Sequence, residues 1–184
     1  MDNQQVTNVD LAWLAGIWDG EGTISCRKGV QQRGKKNPQF APRVSMVNTD
    51  TQILHEVVRI LDTLDIKYYF REKGVGGFEG SRKPCFIISV ETLGNAARLL
   101  TAIRPYLRGK GFQADMMLKF VNSRLAKVKL RGRDNQKFAY SKDELEWLDS
   151  VIQANGNPRG TSETLREAAA REKADDKVRP YVKA

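Results

Sequence analysis

Apolar residues at helical spacing open the chain. Leu11, Leu14, Ala15 and Trp18 recur three and four positions apart, which predicts a helix over residues 9–20. Thr7 followed by Asp10 supplies a capping box for its start. The spacing then changes to alternation. Ile24 and Cys26 fall on one side and Ser25 and Arg27 on the other, the pattern of a half-buried strand over residues 23–28. Gly34, Asn37 and Pro38 mark residues 29–42 as a long hairpin connection, and alternation resumes over 43–48, with Val44 and Met46 opposite Arg43 and Ser45. Ile53, Leu54, Val57, Ile60, Leu61 and Leu64 form the apolar face of a helix over 50–64. Two more strands are predicted at 67–73 and 84–90, joined by a Gly-rich connection at 74–83. An amphipathic helix over 92–103 stops at Pro105, and another follows at 112–125. Ser141 with Glu144 opens a helix over 141–153, and a short final helix is expected at 162–171. Residues 173–184 are charged, lack an apolar stripe and are expected to be disordered.

The resulting order, α-β-β-α-β-β-α followed by C-terminal helices, predicts an α+β fold built on a four-stranded antiparallel sheet. Helices on one face of such a sheet leave the other face open. The length of 184 residues fits a single domain over 1–172, with a core at 7–126, helices at 141–172 and the tail beyond.

Composition narrows the function classes. Two isolated cysteines, Cys26 and Cys85, and one histidine, His55, cannot supply a zinc-finger ligand set, and they favour a reducing, intracellular setting. No apolar run approaches the ~20 residues of a membrane span. Residues 1–10 are polar and lack the apolar core of a signal peptide. The net charge is +9, and it is segregated. Residues 22–49 hold Arg27, Lys28, Arg33, Lys35, Lys36 and Arg43 without a single acid, and from 104 to 133 nine basic residues face Asp115 alone. Acids gather elsewhere, as at 141–150. Scattered solubilising charge does not segregate this way, so a nucleic-acid partner is expected. The basic, polar strand positions would occupy the open sheet face, and a two-stranded ribbon fits the major groove of duplex DNA. On base-edge chemistry, Ser25, Arg27, Gln31, Arg33, Arg43, Arg71 and Lys73 are the candidate base readers, with Lys28, Lys35, Lys36 and Arg159 contacting phosphates. The Gly-rich segment 74–80 is no nucleotide-binding loop, because Gly80, Ser81 and Arg82 lack the Gly-Lys-Ser/Thr ending, and no small-molecule substrate is expected.

Residues 14–22, LAGIWDGEG, combine three oddities. Ala12, Gly16 and Gly20 recur every fourth position and leave one helix face nearly bare, although Gly inside a helix costs about 1 kcal/mol against Ala. Such a face lets a second backbone approach closely. Asp19 and Glu21 sit at the negative end of the helix dipole, where acids are disfavoured unless a cation reverses the sign. Gly20 and Gly22 would permit tight backbone turning that aims a carbonyl at that cation. A plain glycine cap with acidic turn residues is the bland alternative. Divalent oxygen-ligand sites normally need more than one carboxylate, and the segment has no internal repeat. Two copies packed about a twofold axis would bring two Glu21 carboxylates together, so a homodimer is expected, its interface formed by Ala12, Ala15, Gly16 and Gly20.

LAGIWDGEG resembles the signature of the LAGLIDADG homing endonucleases, with identity at Leu14, Ala15, Gly16, Asp19 and Gly22. Glu21 stands where the family usually has its second Asp, keeping the carboxylate one methylene further out. The resemblance continues at 47–50 (VNTD), at 71–74 (REKG), at 104–110 (RPYLRGK) and at 159–164 (RGTSET), and so spans roughly residues 7–171, pointing to the homodimeric, intron-encoded branch. It implies site-specific hydrolysis of one phosphodiester on each strand of a long, near-palindromic duplex, leaving short 3′ overhangs and promoting intron mobility. It makes Glu21 the metal ligand, assisted by the carbonyl of Gly20, and Lys110 the catalytic lysine. Asn48 and Gln52 are candidates to position water, with Thr49 a competitor. Mg²⁺ is the implied cofactor, with Mn²⁺ a substitute and Ca²⁺ binding without supporting cleavage. The alternatives are an RNA maturase and a nuclease-inactive DNA-binding regulator. An organelle and a prokaryotic or archaeal cytoplasm are equally compatible compartments.

Overall fold

The computed structural model describes residues 5–28, 39–72, 84–131 and 139–156. Helix α1, Asn8–Glu21, begins at the capping box expected of Thr7 and Asp10. It buries Leu14, Ala15 and Trp18 against the sheet and against the helix Leu93–Ile103. Strand β1, Gly22–Lys28, follows without a connecting loop and pairs antiparallel with β2, Phe40–Asn48. Helix α2, Thr51–Thr63, is capped by Asp50, whose carboxylate accepts from the backbone N–H groups of Gln52 and Ile53. Strands β3, Tyr69–Glu72, and β4, Phe86–Val90, lead into α3, Leu93–Ile103, then α4, Gly111–Arg131, and α5, Lys142–Ala154. The four strands form one antiparallel sheet in the order β1-β2-β4-β3. The predicted α+β architecture is therefore present, in the predicted element order.

Burial divides the sheet into two faces. Ile24, Phe40, Val44, Met46, Ile88 and Val90 join Leu54, Val57, Ile60, Leu99, Leu100, Ile103, Met117 and Phe120 in one apolar core. On the opposite face the register aligns Ser25 with Arg43, Ser45 with Ser89, and Arg71 with Ile87. Directly paired residues point the same way, so Ser25, Arg27, Arg43 and Arg71 share the uncovered face as the alternation predicted.

Several boundaries differ from expectation. Strand β2 begins at Phe40 and carries Pro42 inside it, where a turn was expected. Pairing of β2 with β4 starts only at Val44, so at Pro42 the strand has β1 as its single neighbour and the missing N–H is harmless. Helix α4 runs on to Arg131 because no Gly or Pro interrupts it before Gly132. Residues 29–38 of the connection expected at 29–42, the connection expected at 74–83 and the final helix expected at 162–171 lie outside the described residues.

The C-terminal layer is fastened by polar groups. Glu144 has no exposure, yet it accepts from Lys127 Nζ at 2.8 Å, Ser123 Oγ at 2.7 Å and the Ser141 backbone at 3.0 Å. Burial pushes its carboxyl up, but these donors and Arg124 outweigh it and hold it below the ordinary value. The Tyr140 hydroxyl meets the backbone of Phe40, and Asn155 Nδ2 donates to the Ile24 carbonyl at 2.8 Å. Helices α4 and α5 are thereby tied to each other and to the β1–β2 hairpin.

Candidate active centre and nucleic-acid face

The last turn of α1 separates its two acids completely. Asp19 turns toward the segment between α3 and α4. Its carboxylate accepts from the backbone N–H groups of Arg108, Gly109 and Lys110 at 2.7, 3.0 and 2.8 Å. The Lys110 ammonium in turn donates to the Asp19 carbonyl. Partial burial raises the Asp19 pKa, but the three N–H donors and the Lys110 charge prevail and leave it lowered. Glu21, the final residue of α1, is exposed and makes no hydrogen bond or ion pair among the described residues.

The segment that carries Lys110 is itself anchored. Arg104, which caps α3, grips Asp115 of α4 through two hydrogen bonds of 2.5 and 2.7 Å. A Cβ at Gly111 would lie 3.2 Å from that guanidinium, so glycine there makes room for the grip. Leu107 is buried in the core. Lys110 is thus fixed from three sides: by Asp19, by Leu107 and by the Arg104–Asp115 pair.

Gly22 corrects one expectation. Its backbone is extended, at φ −86° and ψ 165°, and needs no special freedom. The requirement is space: a Cβ would come within 2.4 Å of the Trp18 indole and 2.6 Å of the Trp18 carbonyl. Gly20 lies inside the helix and is equally ordinary in conformation. The expected reversal of acid disfavour by a cation is also revised for Asp19, whose charge is already met by backbone donors and Lys110.

Along α1, Ala12, Gly16 and Gly20 are exposed on one face. Among the described residues a Cβ at Gly16 or Gly20 would meet nothing within 4 Å, so their packing does not demand glycine at either. Ala15, expected at the dimer interface, is fully buried beside Leu14 and Trp18, as its place in the apolar stripe of α1 dictates. Val9 is 77% exposed on the outer side, and α1 is therefore apolar beyond what its own domain covers.

Asn48 ends β2, and its side-chain oxygen accepts from the Asp50 backbone N–H at 2.9 Å. Gln52 is exposed in the first turn of α2. On the open sheet face, Ser25 Oγ donates to the Arg43 carbonyl at 3.3 Å, and Arg71 is exposed on β3. Arg27 and Arg43 both approach Glu91, at 3.0 and 3.7 Å, an acid that sequence reasoning did not single out. Lys28 ends β1. Gln31, Arg33, Lys35, Lys36, Lys73 and Arg159 lie outside the described residues. Among the described residues there is no cluster of three or more His, Cys, Asp or Glu side chains, and no helix long and apolar enough to cross a membrane. Cys26 and Cys85 are free thiols, and burial pushes Cys26 up to about 11.

A family model described as a LAGLIDADG-like domain matches residues 8–104. No curated protein matches the sequence. The fold is similar to that of the homing endonuclease I-CvuI, solved with the I-CreI target and 2 mM Mg with the DNA not cleaved. The TM-score is 0.64 at 19% identity, over 89% of this chain and 94% of that one. It is also similar to the archaeal intron-encoded homing endonuclease I-Vdi141I complexed with DNA, at TM-score 0.62 and 14% identity over 89% and 96% of the two chains. The homing endonuclease I-TnaI superposes at TM-score 0.58 with 12% identity, over 91% and 99%.

Proposed function

The chain belongs to the LAGLIDADG-like family, and from that premise we propose that it is a site-specific DNA endonuclease that acts as a homodimer on a long, near-palindromic duplex and promotes intron mobility. The observation that carries the reading is the division of labour at the end of α1. Asp19 is spent on holding the Lys110 segment, and Glu21, two residues on, is left unengaged among the described residues.

A divalent cation, Mg²⁺ by preference, fits this arrangement as half of a shared site. Each chain offers one free carboxylate at a helix end whose dipole attracts cations. Glu21 and the Gly20 carbonyl of each protomer would hold it. When bound, it supplies charge neutralisation at the scissile phosphate and acidifies water. The chain's own residues do the rest. Lys110, with its backbone clamped by Asp19, meets negative charge that develops on the phosphoryl oxygens as water attacks phosphorus and the bond to the 3′ oxygen breaks. Asn48 has its carbonyl oxygen engaged by Asp50, which leaves its amide N–H groups to orient water, with Gln52 alongside in the next turn. Ser25, Arg27, Arg43 and Arg71 read the major groove from the open sheet face, joined by Gln31, Arg33 and Lys73, while Lys28, Lys35, Lys36 and Arg159 hold phosphates.

The homodimer follows from Gly16 and Gly20. Helix interiors disfavour Gly by about 1 kcal/mol against Ala, and nothing among the described residues rewards it at these positions. A second copy of α1 crossing at Ala12, Gly16 and Gly20 supplies the reason and brings the two Glu21 side chains together.

The test uses purified protein and duplex DNA joining the flanks of the intron that holds the reading frame. Mg²⁺ and Mn²⁺ should support cleavage of both strands, Ca²⁺ should support binding alone, and Glu21→Gln should bind without cutting. Tight binding with no cleavage in any cation leaves a DNA-binding regulator, and rescue of intron splicing without DNA cleavage leaves a maturase.

A further inference from the structure

An acid on a surface that meets a polyanion is electrostatically unfavourable, which makes Glu91 conspicuous. It follows β4 directly, one residue beyond the Val44–Val90 pair, beside Arg43 on the open face of the sheet. Arg27 Nη1 donates to its Oε2 at 3.0 Å, and Ser89 Oγ donates to its Oε1 at 3.2 Å. Arg43 Nε lies 3.7 Å from Oε1, too far for a hydrogen bond, and this buried nitrogen has no other hydrogen-bond partner among the described residues. The Glu91 side chain is only 18% exposed beneath the two guanidinium groups. Arg27 reaches it across β2 at Ala41, its own paired residue, whose short side chain leaves the way clear.

Stability does not explain the arrangement, since half-exposed ion pairs contribute little. Its chemistry suits recognition. The cluster remains net cationic, with two arginines to one carboxylate. Arg27 is engaged through one nitrogen, and a guanidinium has further N–H donors with which to face the O6 and N7 acceptors of guanine. A side chain already held loses less freedom on binding. To grip a phosphate instead, the same arginine must approach an anion while Glu91, also an anion, competes for it.

We propose that Glu91 is a specificity-determining residue: it holds Arg27 and Arg43 as one unit presented to base edges in the major groove rather than to phosphates. The proposal rests on the DNA-binding reading of the open sheet face. Glu91 here is a positioning residue, acting through the two arginines.

The experiment compares the full chain with Glu91→Gln, which keeps the shape and removes the charge. Binding is measured on duplexes selected from a randomised library and on mixed-sequence duplex across a salt series. Glu91→Gln should bind mixed-sequence DNA more tightly and lower the ratio of selected to mixed affinity about tenfold. Its salt dependence should steepen by about one unit per protomer. Simple removal of a negative charge would also raise mixed-sequence binding, so base preference is the deciding readout. The positions at which Glu91→Gln loses guanine preference should coincide with those lost by Arg27→Met and Arg43→Met. Adding Glu91→Gln to the double arginine variant should change base preference no further. Retained guanine preference in Glu91→Gln, or losses at other positions, overturns the proposal while the DNA-binding reading stands. Wild-type protein that binds no duplex DNA overturns both. Glu91→Asp, which keeps the charge one methylene shorter, should fall between wild type and Glu91→Gln; base preference no different from that of Glu91→Gln would count against a held geometry.

Discussion

The end of α1 and the open face of the sheet pair acid with base in opposite ways. At the helix end Glu21 has no partner among the described residues, while two positions before it Asp19 fixes a base, Lys110. On the sheet a single acid, Glu91, draws two bases together, which under the proposed function later engage DNA. The first arrangement is locked by backbone N–H groups, which cannot swing away. The second is made of long side chains that can exchange partners. A centre for chemistry needs the former, because a misplacement of about 1 Å can lower a rate by about a hundredfold. A reading surface tolerates the latter.

The largest test of that contrast is Asp19→Ala. It removes the acceptor of three backbone donors, so cleavage should fall by about a hundredfold or more while duplex binding changes little. Single-turnover cleavage beside equilibrium binding checks it, and equal losses in both would mean that the segment at Lys110 serves binding instead. Gly22→Ala comes next. The added methyl strikes the Trp18 indole and carbonyl, and a loss of about 1–3 kcal/mol in denaturant unfolding is expected. Gly16→Ala should do the reverse to the isolated chain, stabilising it by about 1 kcal/mol, because no described residue stands near the new methyl. Sedimentation should show self-association weakened by the same change; unaltered association would move the dimer contact off this face. The smallest effect is on pH. Asp19, Asp115 and Glu144 all have lowered pKa values: for Asp19 and Glu144 their donors outweigh burial, and for Asp115 the Arg104 hydrogen bonds dominate. A lowered folded pKa gives stability that is full above the unfolded value of about 4 and lost as pH falls through the folded one. Acid unfolding should therefore steepen below about pH 4, and Asp19→Asn should flatten that limb and lower stability at neutral pH, where the wild-type contribution is fully present, the two proteins converging in acid.

These contrasts also explain what the sequence disclosed. Signals carried within a few residues were readable: the capping boxes at Thr7 and Ser141, the apolar faces of the helices, and the alternation that puts Arg27 and Arg43 on one side. Features set by distant partners were not. Asp19 looked like an acid at the wrong end of a dipole because its donors lie some ninety positions away. Pro42 read as a turn because the point at which β2 outruns β4 depends on strand pairing. Glu91, a lone acid after a strand, carries no local mark that two arginines converge on it.

The bond from Asp19 to the Arg108 N–H spans 89 positions and the bonds to Lys110 span 91. Closing a loop of that length adds little equilibrium penalty, because the entropy grows only logarithmically. In time it matters more, since contacts between distant segments form late. During synthesis the whole signature of α1, Glu21 included, emerges long before Lys110 exists to be seated. A growing or truncated chain therefore displays the motif without the centre. The order of synthesis therefore leaves the last turn of α1 unseated until residues 108–110 have emerged.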